Sequence, residues 1–169
     1  MNILKKLLLL VLLSSISSTL LARDKDHFSV KLGVLQHENP AYDPSLNLNL
    51  TIGGKLLRGE YAALGLELEM STTIYEGNTR TPQEEWEMDS HALYTTLHLG
   101  RNHYFKLKAG YIDWQVRYDL GDERNGTGPS WGIAYGYPLD SGNYVELEYT
   151  VMSDEQDFGI SLVSLGYYF

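Results

Sequence analysis

From Phe28 onward, apolar and polar residues alternate one by one. Phe28, Val30, Leu32 and Val34 interleave with Ser29, Lys31 and Gly33. The same pattern recurs over residues 46–52, 64–70, 93–99, 105–111, 131–137, 145–151 and 163–169. Successive side chains of a strand point to opposite faces, so this period predicts strands with one apolar face each. After the first two dozen residues, no segment repeats apolar positions at helical spacing. Eight strands result. Breaks rich in Gly, Pro, Asn and Asp separate them, as turn chemistry requires. The connections alternate in length. Residues 37–45, 75–89 and 119–128 read as long polar loops, and 58–60, 101–103 and 138–142 as tight turns. A brief connection, 153–157, precedes the last strand. Long loops at one end and short turns at the other fit an all-β, eight-stranded, antiparallel, up-and-down transmembrane β-barrel.

The direction of the faces decides what surrounds such a barrel. A soluble, lipocalin-like barrel points its apolar set inward. Here the polar set suits a narrow interior. Gly33, Gly53, Gly65, Gly100, Gly110, Gly132, Gly136 and Gly166 recur in it. Lys31, Lys106 and Lys108 share it with Glu67, Glu69, Glu146 and Glu148, and His98 joins them. Unpaired buried charge is costly, so a filled polar interior needs both signs. The pattern predicts Lys31 reaching toward Glu146 or Glu148, and Lys106 and Lys108 reaching toward Glu67 or Glu69. The apolar set then faces lipid. Trp131, Tyr137, Tyr167 and Phe169 stand near strand ends, where aromatic girdles belong.

The first 22 residues read as an export address. Lys5 and Lys6 precede the apolar run 7–13, followed by Ser14, Ser15, Ser17, Ser18 and Thr19 and ending at Ala22. That run is too short to span a bilayer as a helix, which needs about 20 residues. Residues 1–22 are therefore a signal peptide and 23–169 the barrel domain, with no further periplasmic domain expected. Composition then changes meaning. Mean hydropathy is −0.25, a value that argues against membrane helices but says little about membrane strands. The 169 residues include no Cys and carry a net charge of −9, or −11 once Lys5 and Lys6 are removed. Thiol chemistry and disulfides are excluded, and the acidic balance argues against nucleic-acid binding.

Candidate chemistry is sparse. A lipid A deacylase needs a nucleophilic Ser, a His base and an acid on the outer wall. Ser90 and His91 are adjacent, with Glu84, Glu85 and Glu87 nearby, but neighbours in one strand face opposite ways. His98 reads as an interior hydrogen-bonding group. His27, His37 and His103 lie near turns or loops, and no spacing suggests a zinc site. The acidic runs 83–87 and 154–157 read as solvated loop faces, with divalent cations as the alternative. Eight strands leave an interior filled by side chains, so an open diffusion pore is not expected. No cofactor is expected.

Several segments resemble a known family. Val163, Leu165, Tyr167 and Phe169 resemble the last-strand insertion signal of bacterial outer-membrane barrels. Residues 61–69 (YAALGLELE), 104–119 (YFKLKAGYIDWQVRYD), 131–139 (WGIAYGYPL) and 143–150 (NYVELEYT) resemble the third, fifth, sixth and seventh strands of the small OmpA-like, opacity-type barrels. The resemblance implies a Gram-negative outer-membrane location, with lipid and lipopolysaccharide as surroundings. It implies insertion by the barrel-assembly machinery. It implies no single activity, since members serve as structural proteins, adhesins, surface antigens or narrow pores. A surface-interaction role through the long loops is the expectation, and a lipid A-modifying enzyme is the alternative.

Overall fold

The computed structural model describes residues 26–80, 83–153 and 159–169. The predicted signal segment, 1–22, lies outside the described residues. Eight strands follow in chain order: β1 Asp26–His37, β2 Ser45–Arg58, β3 Ala62–Tyr75, β4 Glu85–Leu99, β5 Tyr104–Tyr118, β6 Glu123–Pro138, β7 Tyr144–Met152 and β8 Ile160–Tyr168. Each pairs antiparallel with the next, and β8 pairs back onto β1, so the sheet closes without an edge. A two-residue rung, Gly77–Asn78, pairs with the start of β4. No helix occurs among the described residues.

Closure is staggered. The pairing partners run from Tyr144 through Tyr168, Ser29, Thr51, Glu69, Ala92 and Ile112 to Gly128. Gly128 lies two positions beyond Ser130, the partner of Met152, so the circuit returns well above its start. That shear tilts the strands and sets the barrel width. It also lets inward side chains from different strands meet in layers.

The wall is uneven in height. β3 to β6 run 14–16 residues, whereas β7 and β8 run nine. β5 explains the tall side. Its outward positions are apolar through Phe105, Leu107, Ala109 and Tyr111, then polar at Asp113, Gln115 and Arg117. Its inward positions change in the opposite sense. Lys106 and Lys108 give way to Ile112, Trp114, Val116 and Tyr118, all buried. β4 does the same, with Trp86, Met88, Ala92 and Tyr94 inside the loop half and Thr96 and His98 below them. These residues meet Leu35, Met152, Ile160 and Leu162 in one apolar plug.

This inversion corrects two expected loops. Residues 119–128 are not a long loop: β6 begins at Glu123 and leaves only a turn over 119–122, with Gly121 at φ 95°. Residues 75–89 are likewise partly strand, since β4 begins at Glu85. Searching for one constant apolar phase misses a strand whose phase flips where its outer neighbour changes.

Candidate functional site

Among the described residues, the seven fully buried charges all come from odd strands: Lys31 from β1, Glu67 and Glu69 from β3, Lys106 and Lys108 from β5, and Glu146 and Glu148 from β7. The even strands between them supply small residues over which the long chains lie. An added Cβ at Gly166 would stand 2.6 Å from Lys31 Cγ. At Gly53 it would stand 2.7 Å from Glu67 Cγ, and at Gly132 2.9 Å from Lys108 Cε. Gly53, Gly132 and Gly166 are therefore room for neighbouring charged chains, Gly136 makes room for the Tyr104 ring, and Gly100 is an exposed turn residue instead of an inward one.

The charges close into one network rather than separate pairs. Lys31 Nζ lies 2.9 Å from Glu148, 3.0 Å from Glu69 and 3.9 Å from Glu146. Lys106 Nζ lies 2.8 Å from both Glu146 and Glu148 and 3.2 Å from Glu67. Lys108 Nζ lies 2.7 Å from Glu148 and 3.2 Å from Glu69. Each expected partner strand is met, and every lysine also bridges to the other acidic strand. Glu148 touches all three lysines. Removing ions from water costs several kcal/mol each, which multiple short charge-assisted bonds offset.

Polar aromatic groups complete the network, and the alternation alone gave no reason to single them out. Tyr168 donates its hydroxyl to Glu146 at 2.7 Å and accepts from Lys106 at 2.8 Å. Tyr104 donates to Glu146 at 2.8 Å. Lys108 Nζ sits 4.1 Å from the Tyr94 ring centre. His27 Nε2 lies 3.0 Å from Glu67. His98 is buried in the same layer, 3.8 Å from Glu67, which is beyond hydrogen-bond reach. The only signal for these groups is that each sits in the inward register of its strand.

Outside, Val163, Leu165, Tyr167 and Phe169 share the apolar face. Val163, Leu165 and Phe169 are exposed there and Tyr167 is half-buried. The Phe169 amide donates to Phe28 O at 2.9 Å, tying the last residue to β1. The other candidate residues do not assemble. Ser90 is buried inside and His91 is exposed outside. Glu87 and Asp89 are taken by Arg117, at 2.7 and 2.6 Å. His103 Nδ1 lies 2.9 Å from the Tyr135 hydroxyl. No group of three or more potential metal ligands occurs among the described residues.

The loop end is capped. Tyr42, from the β1–β2 loop, stacks on His37 and meets Trp86 edge-on. Its hydroxyl lies 3.4 Å from that of Tyr118. The rung at Gly77–Asn78 holds the loop from the other side, Asp43 N donating to Asn78 O at 2.7 Å.

No protein-family model and no curated protein matches the chain by sequence. Solved structures do match. The barrel is similar to Ail, the attachment invasion locus protein of Yersinia pestis, in complex with the heparin analogue sucrose octasulfate. That match has a TM-score of 0.58 at 10% identity, over 86% of this chain and 97% of that one. It is similar to the outer membrane protein OprG of Pseudomonas aeruginosa, with a TM-score of 0.59 at 11% identity over 86% and 96%. It is also similar to the outer membrane enzyme PagL, with a TM-score of 0.51 at 13% identity over 83% and 97%. At these identities the shared property is the fold: a closed eight-stranded barrel of the kind found in bacterial outer membranes.

Proposed function

We propose that this chain is a bacterial outer-membrane barrel of the OmpA-like, opacity-type kind, exported by a cleaved signal peptide. In this reading it acts structurally or through surface interactions at its loop end. One observation carries the reading. The barrel is inside-out over half its height: Lys31, Lys106, Lys108 and four glutamates are buried while Leu66, Leu107, Leu147 and Leu165 stand 41–58% exposed outside. A contiguous apolar belt around a whole barrel is far larger than the exposed patches of soluble monomers. Lipid is the solvent that suits it. The barrel-assembly machinery would insert the chain through the last strand, and lipopolysaccharide would surround its outer half.

Charge at the loop end narrows the partner. Residues 38–44, 76–89 and 113–124 hold eleven carboxylates and three arginines. A polyanion such as a sulfated glycan is repelled by that field, unlike the heparin analogue bound by Ail, whereas a cationic surface is drawn to it. The enzyme reading gains nothing from the outer wall, where the ladder partners of His91 are Met70 and Asp113 and no serine stands beside it among the described residues. The pore reading meets a filled interior, with ion network and apolar plug stacked in series.

Fractionation tests the reading. The protein is expected in the outer membrane, migrating faster on cold SDS gels than after boiling. A soluble periplasmic protein without that shift would overturn it. Lipid A mass spectra unchanged by the protein are expected, and a lost acyl chain would favour the enzyme.

A further inference from the structure

The base of the loop-end cap is tied to one ring nitrogen. The Asn39 amide donates to His37 Nδ1 at 2.8 Å. Nδ1 must therefore carry a lone pair, because a protonated imidazole has N–H groups at both nitrogens and accepts nothing. The same ring stacks on Tyr42 at 4.3 Å between centroids, with planes 14° apart. Tyr42 in turn covers Trp86, whose indole N–H donates to Asp43 O at 3.2 Å. One neutral histidine thus holds both the start of the loop and the aromatic residue that closes the mouth.

We propose that residues 38–44 form a pH-sensitive cap, latched by neutral His37 and released when Nδ1 takes up a proton. Protonation sets N–H against N–H at the Asn39 contact and frees the loop at its base. Tyr42 then leaves the mouth, and Trp86 and Tyr118 become the exposed floor. Among the described residues, Glu38, next in the chain, and Arg124 on β6 are charged groups that act on His37. Burial holds the Tyr118 hydroxyl at the mouth above its ordinary value, so it is neutral in acid. Burial and Arg124 hold the imidazole below its ordinary value, while Glu38 acts the other way. The closed cap thus binds the proton more weakly than the open one. Closure is complete above the free-histidine value, and is lost as pH falls through that value toward the lower one of the closed state.

The floor residue is a reporter. In the Trp114→Phe, Trp131→Phe protein, acrylamide quenching of Trp86 is expected to be weak at about pH 8. It should rise severalfold by about pH 5, with heat-modifiable migration retained throughout. His37→Gln keeps an acceptor oxygen at every pH, so it should stay weakly quenched across the range. An acid transition that persists in His37→Gln overturns the proposal, as does quenching that never changes in the parent. A second measurement needs no tryptophan variant. Nitrogen NMR of the unaltered protein should show His37 Nδ1 unprotonated at neutral pH, and a protonated Nδ1 there would sink the latch.

Discussion

The two halves of this barrel solve opposite problems with one set of strands. In the half nearer the termini, charges lie inside and leucines outside. In the loop half, Trp86, Met88, Ile112 and Trp114 lie inside, and Glu87, Asp89, Asp113 and Arg117 line the outer wall. The loop half obeys the ordinary rule for a protein in water. The terminal half reverses it. β5 crosses from one regime to the other between Tyr111 and Ile112 without a break in its hydrogen-bonded ladder. Backbone pairing therefore does not depend on which face is apolar, and side-chain polarity reports only what lies on either side. The crossing point marks the outer edge of the lipid layer in the proposed setting.

The largest effect should come from breaking the network at its hub. Glu148→Ala leaves three buried lysines short of a partner and should cost about 3–5 kcal/mol, read from urea unfolding of the barrel in lipid vesicles. A loss below about 1 kcal/mol would mean that the interior is hydrated and the network incidental. The next pair compares the two outer walls directly. Leu107→Arg, in the apolar belt, should cost about 2–4 kcal/mol near mid-bilayer. Asp113→Arg, on the same strand and face but above the belt, should change stability by at most about 0.5 kcal/mol. Equal costs would remove the boundary drawn at Tyr111. Gly166→Ala falls between these two. Its new methyl presses on the Lys31 stem, which can shift somewhat, so about 1–2 kcal/mol is expected in the same titration. Arg117→Ala should be milder than Gly166→Ala. Its partners Glu87 and Asp89 are part-exposed, and the loss should stay near 1 kcal/mol and shrink with added salt.

The terminal half was legible in the sequence and the loop half was not. A constant phase over residues 105–111 or 145–151 marks strand, face and inward charge at once, because only one period is involved. The partner strands of Lys31, Lys106 and Lys108 also followed from counting strands around a closed barrel. What counting could not supply was the shear. The stagger brings Glu148 within reach of three lysines from two strands, and puts Tyr168 and Tyr104 beside Glu146. The first residues of β4 and β6 fall in segments expected as loop: in β4 the polar outward Glu87 and Asp89 mask the buried Trp86 and Met88, and in β6 residues 123–128 are polar or glycine on both faces. The cap was equally hidden. Tyr42 lies in a stretch with two prolines, and nothing local says that it stacks on His37. The candidate Ser90 and His91 fell to opposite faces, as adjacency in a strand requires.

The phase inversion is the centre of this account, and the absence of cysteine makes it directly measurable. Single cysteines placed at the outward positions of β5, carrying a spin label, report collision with oxygen in lipid or with a nickel chelate in water. In reconstituted vesicles, labels at positions 105, 107, 109 and 111 should favour oxygen, and labels at 113, 115 and 117 should favour the chelate. Chelate access at all seven positions would contradict the lipid belt and return the chain to the soluble barrels.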